Sequence, residues 1–126
     1  MFKRIDHVEI APSDLERSIA FYGEVLGFEV KERIQIGSPV LKQVVYLGLG
    51  DTTLELLDYA DPAPPDFSIR VGYRLMALEV DSMEESLAFL AERGIRPSQP
   101  PMDVGGGSLR AEIMDPDGLS IELRQW

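Results

Sequence analysis

Cysteine is absent from the 126 residues, and histidine occurs once, as His7. Without thiols the chain has no disulfides, no thiol nucleophile and no thiolate metal ligand. Any chemistry that needs an imidazole, a Ser-His-Asp arrangement included, has to use His7. Long apolar runs are missing too. Nowhere do ~18 uncharged apolar residues follow one another, and the N-terminal Met1-Phe-Lys-Arg-Ile-Asp-His-Val8 has no apolar stretch of signal-peptide length, so a cytoplasmic protein is the default expectation. Basic residues are scarce: 12 stand against 22 acidic ones, and the net charge of −10 opposes unaided binding to nucleic acid or to an anionic membrane.

What is present is a globular composition, 44% hydrophobic and 27% charged, at a length that suits one domain covering residues 1–126. Asp61-Pro-Ala-Pro-Pro-Asp66 can continue neither a helix nor a central strand and reads as a semi-rigid linker. Pro97–Ser108 combines prolines with Gly105, Gly106 and Gly107 and is expected to be a mobile surface loop; its glycines do not open a helix after a strand, so they are not a phosphate cradle.

The two halves repeat each other. Ser13-Asp-Leu-Glu-Arg-Ser18 aligns with Asp81-Ser-Met-Glu-Glu-Ser86, each a capping residue followed three positions later by Glu, and each is expected to open a helix. Apolar residues then recur at three- and four-residue steps until Gly27 and Gly94, which suit left-handed caps. A strand precedes each helix (Ile5 to Ala11; Leu75 to Val80) and three follow, the last being Thr53–Leu57 and Ser120–Arg124, which places Glu55 on Glu122. The expectation is an α+β fold of two βαβββ modules forming a cupped mixed sheet with helices on its outer face. Module 1 covers about 1–60, a linker about 61–70 and module 2 about 71–126. A unit of roughly sixty residues is marginal alone, so the two should share a core.

Alternation sorts the strand residues. Val8, Ile10, Leu54, Leu56, Leu109, Ala111, Ile113, Ile121 and Leu123 form the helix-facing set. His7, Glu9, Gln43, Val45, Thr53, Glu55, Arg110, Glu112, Ser120, Glu122 and Arg124 form the other. On an ordinary sheet that second set would simply be solvated. A strongly twisted sheet curls, however, and its polar face then lines a trough that gathers carboxylates around the one imidazole.

Over nearly its whole length the chain resembles the vicinal oxygen chelate superfamily, which includes lactoylglutathione lyase, methylmalonyl-CoA epimerase, extradiol dioxygenases, and fosfomycin- and bleomycin-resistance proteins. The resemblance is carried by Asp6–Phe28, by Ala77-Leu-Glu-Val-Asp81 leading into a helix, and by Asp115-Pro-Asp-Gly-Leu-Ser-Ile-Glu-Leu123. It implies a divalent metal held by one residue from the first and one from the last strand of each module, here His7, Glu55, Leu75 and Glu122. Leu75 departs from that pattern, because leucine coordinates nothing, and a one-residue slip to Arg74 or Met76 turns the side chain to the other sheet face. His7, Glu55 and Glu122 remain, a set that suits Mn²⁺ or Mg²⁺ and can also hold Ni²⁺ or Zn²⁺. With one histidine, dioxygenase and fosfomycin-type chemistry are disfavoured, since the resemblance implies two for them.

The resemblance also implies a role for Glu122, and the shared sheet face supplies the other candidates. Glu122 is the first candidate for the base that moves a proton, with Glu9 or Glu112 able to serve instead. Arg110 and Arg124 are candidates for holding an anionic substrate group. The pocket-lining set is thus Glu9, Leu75, Arg110, Glu112 and Arg124, and Gly105–Gly107 are candidates for a closing loop. Two functions follow. One is a metal-dependent lyase, isomerase or epimerase acting on a small oxygen-chelating molecule. The other, favoured by Leu75, is a metal-free protein that sequesters a small molecule such as a cationic antibiotic. A homodimer is the assembly that the resemblance implies.

Overall fold

Each half of the chain opens its helix on an extended residue whose side chain caps the first turn. The caps are Asp14, which accepts from the Arg17 amide at 3.1 Å, and Ser82, which accepts from the Glu85 amide at 3.2 Å. Both lie one position later than the expected Ser13 and Asp81. The capping atom must reach the third helical amide, and Asp14 and Ser82 are the residues whose extended backbone allows it. Both helices end at the expected glycines, with Gly27 at φ 84° and Gly94 at φ 74°, a region that side chains with a Cβ disfavour.

The structure, a computed structural model, describes residues 1–126 and divides into two units, Met1–Pro64 and Pro65–Trp126. In the first unit, β1 (Val8–Ile10) is followed by α1 (Leu15–Ala20) and a π-helical turn (Phe21–Val25). Strands β2 (Glu29–Gln35), β3 (Leu41–Leu49) and β4 (Thr52–Tyr59) complete it. Its sheet runs β1-β4-β3-β2, with β1 parallel to β4 and the other pairs antiparallel. The second unit repeats the plan with β5 (Met76–Glu79), α2 (Met83–Glu92), β6 (Gln99–Asp103), β7 (Leu109–Met114) and β8 (Ser120–Gln125), in the order β5-β8-β7-β6. The fold is therefore α+β, built from two βαβββ modules that each carry one four-stranded mixed sheet. No helix is long and apolar enough to cross a membrane.

Within each unit the helix packs on its own sheet, α1 against β4 and α2 against β7 and β8. Leu54, Leu56, Ala111, Ile113, Ile121 and Leu123 are at most 2% exposed, as the alternation predicted. Fully burying one such leucine or isoleucine stabilises the fold by roughly 1.5–3 kcal/mol. Val8 is an exception at 41% exposed, because β1 is a short edge strand that begins at that residue.

Three further expectations are corrected. The first strands of the modules start at Val8 and Met76 and not at Ile5 and Leu75, so His7 and Leu75 each lie just before a strand. Val45 is fully buried and pairs with Leu56, which puts it on the helix-facing side. A register shift between Leu41 and Gln43 accompanies that pairing, and the residue opposite Glu55 is Tyr46. Finally, part of the expected 97–108 loop is strand β6. Its Pro100 and Pro101 are tolerated because β6 is an edge strand with an irregularity between Gln99 and Met102. The remainder closes as a turn, with the Gly105 amide donating to Asp103 Oδ1 at 2.7 Å and the Val104 amide to the Ser108 carbonyl at 2.9 Å.

Candidate functional site

In module 1 the parallel pairing of β1 and β4 sets Glu9 directly opposite Glu55, with side chains on the same face. His7 is two residues before Glu9 and reaches the same place. Its Nε2 lies 3.3 Å from Glu9 Oε1 and 3.2 Å from Glu55 Oε2. Asp6 Oδ2 sits 2.9 Å from Nδ1 on the other side of the ring. A carboxylate on Nδ1 fixes the orientation of the imidazole and directs Nε2 at the two glutamates, the arrangement that commonly supports a metal-binding histidine. The hydrogen bond to Asp6, then that to Glu9, and the charge of Glu55 raise the His7 pKa above its usual 6.5. The same bond lowers the pKa of Asp6.

Glu55 is only 6% exposed. The Tyr46 hydroxyl donates a hydrogen bond to it, which, with burial, pushes the phenol pKa up. Ligand atoms of His7, Glu9 and Glu55 all lie within 4.8 Å of one another. One imidazole nitrogen and two carboxylates form a donor set that fits a divalent cation such as Mn²⁺ or Mg²⁺, and also Ni²⁺ or Zn²⁺.

Module 2 treats the same positions differently. Glu112 and Glu122 face each other across β7 and β8, as Tyr46 and Glu55 do across β3 and β4. Two pairs along the ladder, on the same face, Arg110 faces Arg124 where module 1 has Val44 facing Leu57. Arg110 donates to Glu112, and to Glu122 Oε2 through Nε at 3.2 Å and Nη2 at 3.1 Å. Arg124 donates to Glu122 Oε1 at 3.3 Å, and Arg74 to Glu112 Oε1 at 2.9 Å. The Arg124 guanidinium also stacks 4.2 Å from the Trp126 ring centre. Beside Glu122, the parallel strand β5 presents Ala77 at the place that Glu9 occupies in module 1. Two residues earlier comes Leu75, the counterpart of His7.

The structure thus brings together His7, Glu9 and Glu55 in one module, and Arg110, Glu112, Glu122 and Arg124 in the other. Sequence reasoning missed three contributors. Asp6, adjacent to the histidine, carried a signal in its position alone. Tyr46 was hidden by the register of β3, and Arg74 was set aside on strand alternation, although it precedes β5 and is not bound by it. Asp115 belongs to the scaffold: its buried carboxylate accepts from the amides of Asp117 and Leu119, at 2.8 and 2.9 Å, and shapes the turn into β8.

Two βαβββ modules with a histidine–carboxylate cluster at the start of the first strand describe a class, and comparison with known proteins identifies it. The chain belongs to the Glyoxalase/Bleomycin resistance protein/Dioxygenase superfamily, whose family model matches residues 4–123. It is similar to human mitochondrial methylmalonyl-CoA epimerase, with 28% identity over 97% of this chain and 73% of that protein. Lactoylglutathione lyase of Salmonella typhimurium is 32% identical over 95% of this chain and 90% of that one. Among solved structures, the glyoxalase family protein from Enterococcus faecalis superposes with a TM-score of 0.83 at 36% identity, covering 98% of both chains.

Proposed function

We propose that the protein is a divalent-metal-dependent lyase, isomerase or epimerase that moves a proton on a small substrate with two neighbouring oxygens. The observation that carries this reading is the meeting of His7 Nε2 with Glu9 and the buried Glu55, backed by Asp6 on Nδ1. His7, Glu55 and Glu122 are the residues assigned to hold the ion. When bound, a divalent cation supplies Lewis-acid stabilisation of negative charge developing on a substrate oxygen. Glu122 is assigned to take the proton from the adjacent carbon, with Glu9 and Glu112 as the alternative carboxylates. Arg110 and Arg124 are assigned to an anionic substrate group, and Leu75 to the apolar lining. The Arg124 assignment is favoured by its Nε, a buried donor with no hydrogen-bond partner. A single domain, a homodimer and a cytoplasmic location belong to the same reading.

The similarity to an epimerase and a lyase selects the probes. Purified protein, stripped and reloaded with Mn²⁺, Mg²⁺, Ni²⁺ or Zn²⁺, is incubated in deuterated water with methylmalonyl-CoA or with lactoylglutathione. Metal-dependent deuterium uptake that disappears in Glu122→Gln supports the assignment. Protein that gains neither metal nor exchange with any of the four ions sinks it.

A second reading is supported by Leu75 and by the arginines on Glu112 and Glu122, which leave module 2 with fewer groups free to hold a metal. In that reading the protein sequesters a small molecule without transforming it. Thermal stabilisation by cationic antibiotics, equal with and without metal, would favour sequestration over catalysis.

A further inference from the structure

We propose that Glu9 is a direct metal ligand, acting beside His7 and Glu55 in module 1. The proposal rests on the metal-dependent reading above and adds a residue to it. It comes from the way the modules solve one electrostatic problem. Paired strands in each module bring carboxylates face to face, Glu9 with Glu55 in module 1 and Glu112 with Glu122 in module 2. Like charges directly opposite in a ladder destabilise it unless a cation intervenes. Module 2 has its cations built in, since Arg110 donates to both glutamates while Arg74 and Arg124 take one each. In module 1 the positions matching Arg110 and Arg124 are Val44 and Leu57, both buried and apolar. The groups facing the Glu9–Glu55 pair are the imidazole of His7 and the phenol of Tyr46.

The geometry lets one ion reach all three residues. Nε2 is within 3.3 Å of an oxygen from each glutamate, and the three ligand atoms lie within 4.8 Å of one another, a separation that one ion can span. Glu9 is on the flexible side of this set, its side chain 53% exposed, so it can adjust to an ion while Glu55 stays fixed. Where module 1 has the sequence His7-Val-Glu9, module 2 has Leu75-Met-Ala77. Both ligand-type residues of this segment are therefore concentrated in one module.

The test is a Mn²⁺ titration of the full-length, metal-stripped protein, followed by calorimetry and by the paramagnetic resonance signal of free Mn²⁺. Loss of a ligand should weaken Mn²⁺ by about tenfold or more, as even a supporting residue of a metal site commonly does. The expectation is that Glu9→Gln shows this loss and Glu9→Asp, which keeps the charge but shortens the arm, shows much of it. Glu79→Gln, which removes one exposed strand carboxylate from module 2, should stay close to wild type. Wild-type affinity in Glu9→Gln, alongside loss in His7→Ala, would overturn the role of Glu9 and leave the metal reading intact. Wild-type affinity in Glu9→Asp alone would reduce Glu9 to a field effect and overturn coordination. Failure of the unmodified protein to bind Mn²⁺, Mg²⁺, Ni²⁺ or Zn²⁺ would overturn both. Melting temperatures of all variants near wild type show that folding is not being read instead.

Discussion

Modules 1 and 2 share a topology, a strand order and a set of core positions, yet they compensate carboxylate charge by opposite means. In module 2, guanidinium groups on Arg74, Arg110 and Arg124 neutralise Glu112 and Glu122 within the fold. In module 1, Glu9 and Glu55 converge on His7 beside the apolar pair Val44 and Leu57. The comparison teaches that a duplicated scaffold keeps its core and diverges on the other sheet face. Burial requires the apolar residues in both copies, whereas charge on the polar face has more than one physical solution.

If the cores are equivalent, Leu56→Ala and Leu123→Ala should cost similar amounts, about 2–5 kcal/mol each, because both leucines are almost fully buried. Urea denaturation measures this, and a large loss from one position only would show that the modules do not share the load. A smaller effect is expected from giving module 2 the module 1 residue at the arginine position. Arg110→Val leaves Glu112 and Glu122 with only Arg74 and Arg124, and is expected to cost about 1–3 kcal/mol. An unchanged urea midpoint would mean that Arg110 is dispensable as a counter-charge.

The reverse exchange concerns the metal. Leu75→His gives module 2 the imidazole that module 1 has, and is expected to raise Mn²⁺ affinity by on the order of tenfold, equal to about 1.4 kcal/mol. Calorimetry showing no gain would mean that position 75 takes no part in the site. Tyr46→Phe removes the phenol beside Glu55 and should lower the urea midpoint by less than Arg110→Val does.

The smallest expected effect is on pH dependence. His7 has a raised pKa in the folded protein, so its favourable contacts contribute fully below its ordinary value of 6.5 and are lost as pH rises through the raised value. The stability difference between metal-free wild type and His7→Gln should therefore shrink from pH 5.5 to pH 8.5. A difference that grows with pH would contradict the protonated His7 that Asp6, Glu9 and Glu55 favour.

Much of this arrangement was legible from the chain alone. The repeat located both helices, both glycine caps and the matching of Glu55 with Glu122, and alternation assigned Glu9 and Glu55 to one face and Leu54 and Leu56 to the other. Val45 was misassigned because consecutive residues Val44 and Val45 are both apolar and both buried, so alternation cannot decide which of them faces the helix. Arg74 was set aside because strand alternation was applied to a residue that precedes the strand.

By itself the sequence determined the α+β class, the duplication, the single imidazole and the lack of any thiol chemistry, since these depend on composition, local periodicity and residue identity. Tertiary structure decided which charges meet. Strand pairing set Glu9 beside Glu55 and Tyr46 opposite Glu55, and it placed Arg110 against both Glu112 and Glu122. The physical reason is that periodicity is a property of neighbouring residues. Charge compensation also draws on groups many residues apart, such as Glu9 and Glu55 or Arg110 and Glu122, and strand register brings these within a few ångströms.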